Sequence, residues 1–436
     1  MKKNVVKKLL AGALASAMIL GSLAGCGGGT GDNAGGQKTQ EEGNAPSEDN
    51  GGAAGDEQQA PEEGNTDAQA PAGEGGTIMW LSNLNSGPQY EAYVVLGNMA
   101  CEKLGYKFEV VYGDTMNDPA GNLSAVKNAM TDDVKALIVS QDGGIADIMA
   151  EYPDLYVCGF ATDLGSVYSP NPYADNSAVL ESDKFLGCIC DGFVHGEDSG
   201  QMYFDMIVEK GYKKVALMTF PNYAYPQQEI AANKFKELVE EYNQTAADAD
   251  KIEVVGETKV LEFAPLDESW FMEEGNGDLD CIAGMLAGQM FIYPAMKSAM
   301  ANGTCSADTK LVTGGFENDE AMIADFGNDG TIQVLMFAAC ENMIFPFVLI
   351  DNALTGNQYA DLDTAIIDSE KYIIDSAEDM ENVLTKGFLG TADTANMQIS
   401  WEEVEQLLTR NNPDATYADL VAKLHSEQIL VDALAE

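Results

Sequence analysis

Basic residues are scarce in this sequence. Its 436 residues include 23 lysines and arginines against 71 aspartates and glutamates, and the formal net charge at pH 7 is −48. A chain of this charge repels the phosphates of nucleic acids and the headgroups of anionic lipids. The composition therefore argues against DNA, RNA and anionic membrane surfaces as partners.

Familiar catalytic and metal-binding patterns are also missing. The chain has no Gly-x-Ser-x-Gly elbow, no His-Glu-x-x-His and no phosphate-binding loop, and its two histidines, His195 and His425, have no marked nucleophile nearby. Its cysteines form no CxxC pair and no Cys/His cluster with zinc spacing, so they are interpreted as small buried residues. We expect no enzyme activity, no cofactor and no metal. Paired carboxylates stay open as a catalytic alternative, because sequence does not show their geometry.

The apolar run closest to a membrane segment lies at the N-terminus. Four lysines precede an apolar stretch that begins at Leu9, which is shorter than the roughly 20 residues of a membrane span. It ends in Leu23-Ala24-Gly25-Cys26, which resembles the bacterial lipobox, whose cysteine is diacylated. We expect residues 1–25 to be a lipoprotein signal peptide and Cys26 to carry a lipid anchor. An ordinary signal peptide with an incidental cysteine is the alternative.

Residues 26–75 contain few large apolar side chains. The stretch consists mainly of Gly, Glu, Gln, Asp, Ala and Pro. Such a segment buries too little apolar surface to offset the entropy lost on ordering, and it predicts a disordered acidic tether. Roughly 50 residues of Gly-rich coil have an r.m.s. reach of about 40 Å.

From residue 76 the pattern alternates between strands and helices. Strands are predicted at Thr77–Ser82, Lys107–Tyr112 and Lys135–Ser140, with helices beginning at Pro88 and Pro119 between them. Two crossovers of this length predict one open, parallel α/β sheet, in which ligands lie beyond the carboxyl ends of the strands. The candidate binding residues at those ends are Asn83, Asn85, Gln89, Tyr90, Asp114, Gln141 and Asp142.

A second lobe follows the first. About 360 residues from residue 76 onward are too many for one core, and residues 213–313 repeat the same alternation. His195 lies in a Gly-rich loop after an apolar run, and Tyr223 and Tyr225 follow the buried strand Lys213–Phe220. These three side chains are further candidates for ligand contact. Packing or loop roles remain the alternative for each of them and for Tyr90.

Several landmarks occur in a recognisable order along the chain. They are Pro88-Gln89-Tyr90, Asn117-Asp118-Pro119, Ala136–Ser140, Glu209–Ala216 and Gly315-Phe316-Glu317. In this order the chain resembles the type I periplasmic-binding-protein family, in particular the monosaccharide-binding lipoproteins that serve ABC importers. The resemblance extends from about residue 77 to residue 356.

The resemblance implies an α/β fold of two doubly wound parallel-sheet lobes, joined by a hinge of three crossings and preceded by the tether. The expected boundaries are residues 76–185 with 318–355 for the first lobe. Residues 186–317, with 356–436 as a C-terminal extension, form the second.

The expected contact positions depart from the sugar-binding pattern of the family. His195 stands where these proteins usually have an aspartate, Gln289 where an Asn-Asp pair is common, and Glu317 where an aspartate follows the phenylalanine. The aromatic candidates are kept while several charged ones are absent. A ligand that is less polar or more aromatic than a hexose, such as a nucleoside, is therefore the alternative to a sugar in this cleft.

The expected function is capture of a small solute, a sugar in first place, and its delivery to an ABC permease in the membrane. We expect a monomer, held on the outer side of the cell membrane by its lipid anchor. A ligand-sensing subunit for a membrane receptor would share this fold and is the other alternative.

Overall fold

The computed structural model describes residues 75–425, apart from residues 114, 116, 166–169, 172–173, 318, 328, 364–365 and 370. The predicted signal peptide, Cys26 and all of the predicted tether except residue 75 lie outside the described residues, as does Asp114.

The first sheet of the described chain has six parallel strands in the order β12-β5-β4-β3-β1-β2. All of β1 is buried, as expected for a parallel strand covered on both faces. Its strands are β1 (Thr77–Ser82), β2 (Lys107–Tyr112), β3 (Val134–Val139), β4 (Tyr156–Phe160), β5 (Phe185–Ile189) and β12 (Ile366–Ile367).

The second sheet has seven strands. Six run in the order β13-β11-β10-β9-β6-β7. The seventh strand, β8, is not part of this order and pairs with β6. All of these pairings are parallel except that of β13 with β11. Its strands are β6 (Lys214–Thr219), β7 (Glu253–Val254), β8 (Lys259–Val260), β9 (Cys281–Gly284), β10 (Lys310–Gly314), β11 (Ile332–Ala338) and β13 (Lys371–Ile374).

Helices cover both faces of each sheet, so both lobes are doubly wound as predicted. Helix α1 begins at a proline, and Asp118 caps α2 by accepting a hydrogen bond from the Ala120 N–H. The helices of the first half are α1 (Pro88–Leu104), α2 (Pro119–Ala129), α3 (Ile145–Glu151), α4 (Ser177–Leu180), α5 (Gly196–Lys210) and α6 (Pro226–Thr245). Those that follow are α7 (Gly288–Phe291), α8 (Tyr293–Asn302), α9 (Glu320–Ala324), α10 (Ile344–Leu354), α11 (Ala377–Lys386), α12 (Phe388–Thr391), α13 (Trp401–Glu405) and α14 (Tyr417–Leu424).

Three crossing segments carry the chain between the two sheets: from β5 to α5, from β11 to α10, and from β12 to β13. One hydroxyl joins all three. Ser369 Oγ donates to the carbonyl of Cys190 at 2.7 Å and accepts from Asn342 Nδ2 at 2.9 Å. Ser369 and Asn342 are both buried. The crossings are therefore fastened side by side at one point.

Strand pairing differs from the predicted lobe boundaries. Residues 318–355 were assigned to the first lobe, yet β11 within them pairs with β10 in the second sheet. Residues 356–436 were assigned to the second lobe, yet β12 pairs with β5 in the first sheet. The hydrophobic pattern marks each strand but does not identify its neighbour, which explains the difference.

The C-terminal extension packs on both lobes. Met380 and Val383 of α11 join the core of the second lobe. Beyond them, Val404 and Leu420 join the core of the first lobe together with α1 and α10. Between these parts, Leu389 packs against both cores. The chain thus passes between the lobes a fourth time, on its way from α11 to α13.

A buried ion pair fastens the extension to the first lobe. Arg410 Nε lies 3.2 Å from Asp351 Oδ2, and the two side chains are 10% and 0% exposed. The Tyr106 hydroxyl donates to the other oxygen of Asp351 at 3.1 Å. Removing the guanidinium would leave a buried carboxylate without its countercharge.

We predict that Arg410→Ala lowers the free energy of unfolding by about 3–5 kcal/mol, the usual cost of breaking a buried ion pair. The matched control is Lys107→Ala, because the Lys107–Asp133 pair is 3.7 Å apart with side chains 75% and 67% exposed. Its expected cost is below about 1 kcal/mol. Urea unfolding of both variants measures the difference, and equal costs would contradict the anchoring role of Arg410.

Buried carboxyl groups should make stability depend on pH. Burial, and to a smaller extent the charge of Asp319, raises the pKa of Glu317 to about 7. In the unfolded chain a glutamate has a pKa of about 4.3. Between these values the folded state binds more protons than the unfolded state, so stability falls as pH rises from about 5 to about 8.

We predict that Glu317→Gln makes this fall in the free energy of unfolding smaller, because the variant no longer releases that proton. Denaturant unfolding at pH 5, 6.5 and 8 measures the slope. The exposed Glu240 on α6 provides the control variant Glu240→Gln, whose slope should match that of the parent. If the slope of Glu317→Gln equals that of the parent, Glu317 does not cause this dependence of stability on pH.

Candidate functional site

A polar cavity lies between the lobes, where strands of the first sheet end. Residues after β1, β3 and β4 meet the first crossing and the loop that leads into α6. The cavity encloses about 30 Å³, room for about two water molecules. Its lining consists of Asn83, Asn117, Ser140, Gln141, Asp142, Ala161, Thr162, Asp163, Asp191, Val194, Ala224, Tyr225, Pro226 and Gln227.

A second, smaller space of about 20 Å³ adjoins the first on the side of the second lobe. Asp191, Tyr225 and Gln227 line both spaces, so the two form one cleft. Its remaining lining residues are Phe193, Ser199, Tyr203, Gln228, Ala231, Met285 and Leu286.

Asp142 is the most thoroughly hydrogen-bonded of the predicted contact residues. It is buried, and its carboxylate accepts hydrogen bonds from the Thr162 hydroxyl and from Asn171 Nδ2. Burial raises the pKa of Asp142 above its usual value, and these two donors partly offset that rise. The network holds the loops after β3 and β4 in place at the cleft.

Two amide side chains of the first lobe reach across to the second. Asn117 Nδ2 and Asn171 Nδ2 each donate to the carbonyl oxygen of Tyr223 at 3.2 Å. Asn117 is itself fixed, since its N–H donates to Gln141 Oε1 and its Oδ1 accepts from the Asp142 N–H. The Tyr223 carbonyl is therefore a point of contact that closes the cleft.

Asp191 lies in the first crossing and lines both parts of the cleft. Burial, followed by the nearby charge of Asp368, raises the pKa of Asp191 to about 7. One of its oxygens accepts a hydrogen bond from the Phe193 N–H. The charge of Lys371 acts in the opposite direction and favours the ionised form.

Some of the predicted contact residues line the cavity and others lie outside it. Asn83, Asp142 and Tyr225 line the cavity. His195 precedes α5, with its Nδ1 3.7 Å from Asp198 Oδ2, and is not among the lining residues. Tyr223 is exposed and contributes its backbone carbonyl rather than its ring.

Tyr90 and Gln89 lie in the first turn of α1. The Tyr90 ring stacks on Trp80, with a centroid separation of 6.0 Å, and packs against the core of the first lobe. Neither residue is among those that line the described cleft. The packing alternative accounts for the position of Tyr90.

Gln289 and Glu317 lie together at the carboxyl edge of the second sheet. Gln289 is 1% exposed, and its Oε1 accepts a hydrogen bond from the Glu317 N–H at 2.9 Å. They are brought close to each other, but neither lines the cavities described above. In this structure Gln289 holds the turn after β10.

Sequence reasoning missed several lining residues. Asp163 and Asp191 follow β4 and β5, so the same strand-end argument applied to those strands would have found them. Asn117 was noted only as part of a helix entry. Asn171 belongs to a loop with no distinctive pattern, and only the fold brings it to Asp142.

Within the described residues, no group of three or more His, Cys, Asp or Glu side chains is arranged to hold a metal ion. Nor does that part of the chain contain a helix long and apolar enough to cross a membrane. The seven cysteines of the described region are buried and are not joined in disulfides.

Comparisons with known proteins locate the fold among solved structures. The arabinose-transporter binding protein of Shewanella sp. ANA-3 has a TM-score of 0.54 and 14% identity, over 72% of this chain and 97% of that one. A solute-binding protein of Burkholderia graminis, in complex with D-arabinose, has a TM-score of 0.52 and 15% identity, over 71% and 98%. A glucose-galactose binding protein of Geobacillus stearothermophilus has a TM-score of 0.50 and 13% identity, over 69% and 98%.

No family model matches the chain, and no curated protein matches it. The structural likeness is therefore one of fold, at sequence identities where function does not follow from similarity. The chain has the type I periplasmic-binding-protein fold, as its sequence predicts.

Proposed function

We propose that this protein is an extracytoplasmic solute-binding protein that encloses a small polar solute, a sugar in first place, between its lobes. The observation that carries the proposal is the interlobe cavity at the carboxyl ends of the strands, lined by amides, hydroxyls and carboxylates. By their names, the structural neighbours from Shewanella and Burkholderia graminis bind arabinose, and the one from Geobacillus stearothermophilus binds glucose and galactose.

The lining suits a ligand with many hydroxyl groups. Amide side chains such as Asn83, Asn117 and Gln227 both donate and accept hydrogen bonds, as each sugar hydroxyl does. Tyr225 adds an aromatic ring at the same cavity. Since unpaired hydroxyls are costly in a closed cleft, several such partners around one small space favour a polar solute. We propose Asn83, Asp142, Tyr225, Asn117, Thr162 and Gln227 as solute contacts.

The size of the cavity implies movement of the lobes. About 30 Å³ is room for about two water molecules, so we expect a sugar to enter only when the lobes separate. The two hydrogen bonds to the Tyr223 carbonyl break on opening, at a net cost of about 1 kcal/mol each. The crossings stay joined at Ser369 and provide the line about which the lobes turn.

The proposal also includes a lipid anchor and a partner in the membrane. Cys26, outside the described residues, would carry the lipid that retains the protein at the cell membrane, and residues 26–75 would serve as its tether. The closed, loaded protein, acting as a monomer, would then deliver the solute to an ABC import permease. This part of the proposal is supported by the sequence pattern around Cys26 and by the fold.

Ligand-dependent stability tests the proposal directly. The full chain is heated with neutral sugars, amino sugars and nucleosides in separate samples, and the unfolding temperature is measured. A bound solute at 100 times its Kd should stabilise the protein by about 2.7 kcal/mol. Absence of any shift across the panel would rule out capture of these solutes.

We predict that Asn117→Ala weakens solute binding about fivefold to thirtyfold, because it removes the interlobe hydrogen bond to the Tyr223 carbonyl and the acceptor of the Asp142 N–H, which together contribute about 1–2 kcal/mol. Isothermal titration with the most stabilising solute of the panel measures the change. Asn98→Ala is the control, since Asn98 is exposed on α1 and its side chain donates only to its own helix. Equal affinity of the two variants would show that the Tyr223 contact does not contribute to closure.

A further inference from the structure

The cleft carries a strong excess of negative charge. Asp142, Asp163 and Asp191 all line it, while no lysine or arginine is among the lining residues of either described space. Lys371 lies beside the cleft, since its ammonium is 5.2 Å from the centre of the Phe193 ring and acts on both Asp191 and Asp368. One ammonium therefore faces two carboxyl groups on that side of the cleft, and no lining lysine or arginine balances the three aspartates of the described spaces.

The carboxylates differ in what they offer a solute. Both oxygens of Asp142 already accept hydrogen bonds within the first lobe, so this residue contributes mainly its charge. Asp191 accepts a hydrogen bond from the Phe193 N–H on one oxygen and lines both spaces. It is thus the carboxylate placed to meet a solute that fills the cleft.

Ser199 provides an independent indication of a ligand. This residue is 4% exposed and lines the smaller space, and its hydroxyl has no hydrogen-bond partner in the described structure. A buried hydroxyl without a partner costs free energy, so a partner supplied by the solute is expected there. Ser199 and Asp191 both line the smaller space.

The charge is not arranged for a metal ion, since the described residues offer no cluster of three metal-binding side chains. Aromatic rings accompany the carboxylates instead. Phe193 already lies beneath the Lys371 ammonium, and Tyr225 lines both spaces while its ring packs on Phe220 with the centroids 5.9 Å apart. Rings and carboxylates together are the usual surroundings of an organic ammonium group.

We propose that the solute of this cleft is a sugar-sized molecule bearing a protonated amine, held by Asp191 and Ser199, rather than a neutral sugar. This inference rests on the proposed function and narrows it to a class of solute. Hydroxyls of the solute would meet the amides of the larger space, while its ammonium group would lie between Asp191 and the Ser199 hydroxyl.

The protonation of Asp191 gives the proposal a dependence on pH. Its pKa of about 7 means that the carboxylate becomes fully ionised only above neutral pH. Affinity for a solute whose amine stays protonated should therefore rise from pH 6 to pH 8. The titratable and charged groups around Asp191 include Asp142, Asp163, Tyr225, Asp368, Lys371, Tyr93, Cys190 and, beside Asp368, His195.

Titration calorimetry on the full chain at pH 8 tests the inference with matched probes. The pair is 6-amino-6-deoxy-D-glucose and D-glucose, and N-acetyl-D-glucosamine serves as a sugar whose nitrogen carries no charge. We expect the amine to bind at least tenfold more tightly than either neutral sugar, and added salt to reduce this preference. Tighter binding of a neutral sugar would overturn the inference and leave the proposed function standing. Absence of binding by every sugar and nucleoside tested would instead overturn the proposed function.

Single-residue variants test whether Asp191 and Ser199 are the groups that bind the amine. Asp191→Asn and Ser199→Ala should each reduce the affinity for the amine about tenfold, with little change in the unfolding temperature. Asp154→Asn, at an exposed aspartate in the turn before β4, should leave the affinity unchanged. An unaltered preference for the amine in both cleft variants would overturn the assignment to Asp191 and Ser199.

Discussion

The hydroxyl of Ser369 is the point on which the arrangement of the two lobes depends. It joins the carbonyl of Cys190 to the side chain of Asn342, and so ties together one residue from each of the three crossings. Space there is tight, because a Cβ on Gly192 would lie 2.6 Å from the Ser369 carbonyl oxygen. With φ of +81°, Gly192 also has a backbone conformation that other residues rarely adopt. Sequence and geometry therefore both hold the crossings close to one another.

The cleft combines rigid walls with a weak closure. Asp142 and its partners fix the loops of the first lobe, and amide hydrogen bonds to the Tyr223 carbonyl join those loops to the second lobe. Such bonds contribute little net free energy each, so differences in solute contacts can decide whether the lobes stay closed. The proposed capture and release of a solute would require this balance.

Local patterns predicted the first lobe well. The strands Thr77–Ser82 and Lys107–Tyr112 were predicted at the bounds that the structure gives, because each is a short apolar or alternating run between clear turn residues. The strand predicted at Lys135–Ser140 lies one residue earlier, at Val134–Val139. The fold class followed from the alternation of strands and helices. The assignment of β11 and β12 to their sheets did not, because pairing depends on distant parts of the chain.

The site was predictable where it follows the ends of strands. Asn83 and Asp142 were found in that way, and Asp191 could have been. Tyr90 was a reasonable candidate by position, but its ring stacks on Trp80, and no sequence pattern distinguishes a ring that packs from one that faces a cleft. The charge of the cleft was also not foreseeable, since an excess of acidic residues over the whole chain does not show which of them converge.

The passage of the C-terminal extension across both lobes bears on the kinds of solute the cleft admits. Leu389 packs against both cores, and the extension continues to the ion pair of Arg410. Wide separation of the lobes would expose the apolar surface of these contacts to water, at a free-energy cost of about 25 cal/mol for each Å². We therefore expect the extension to oppose wide opening of the lobes. Under the proposed function, such a limit would favour a single sugar unit over longer chains of the same sugar.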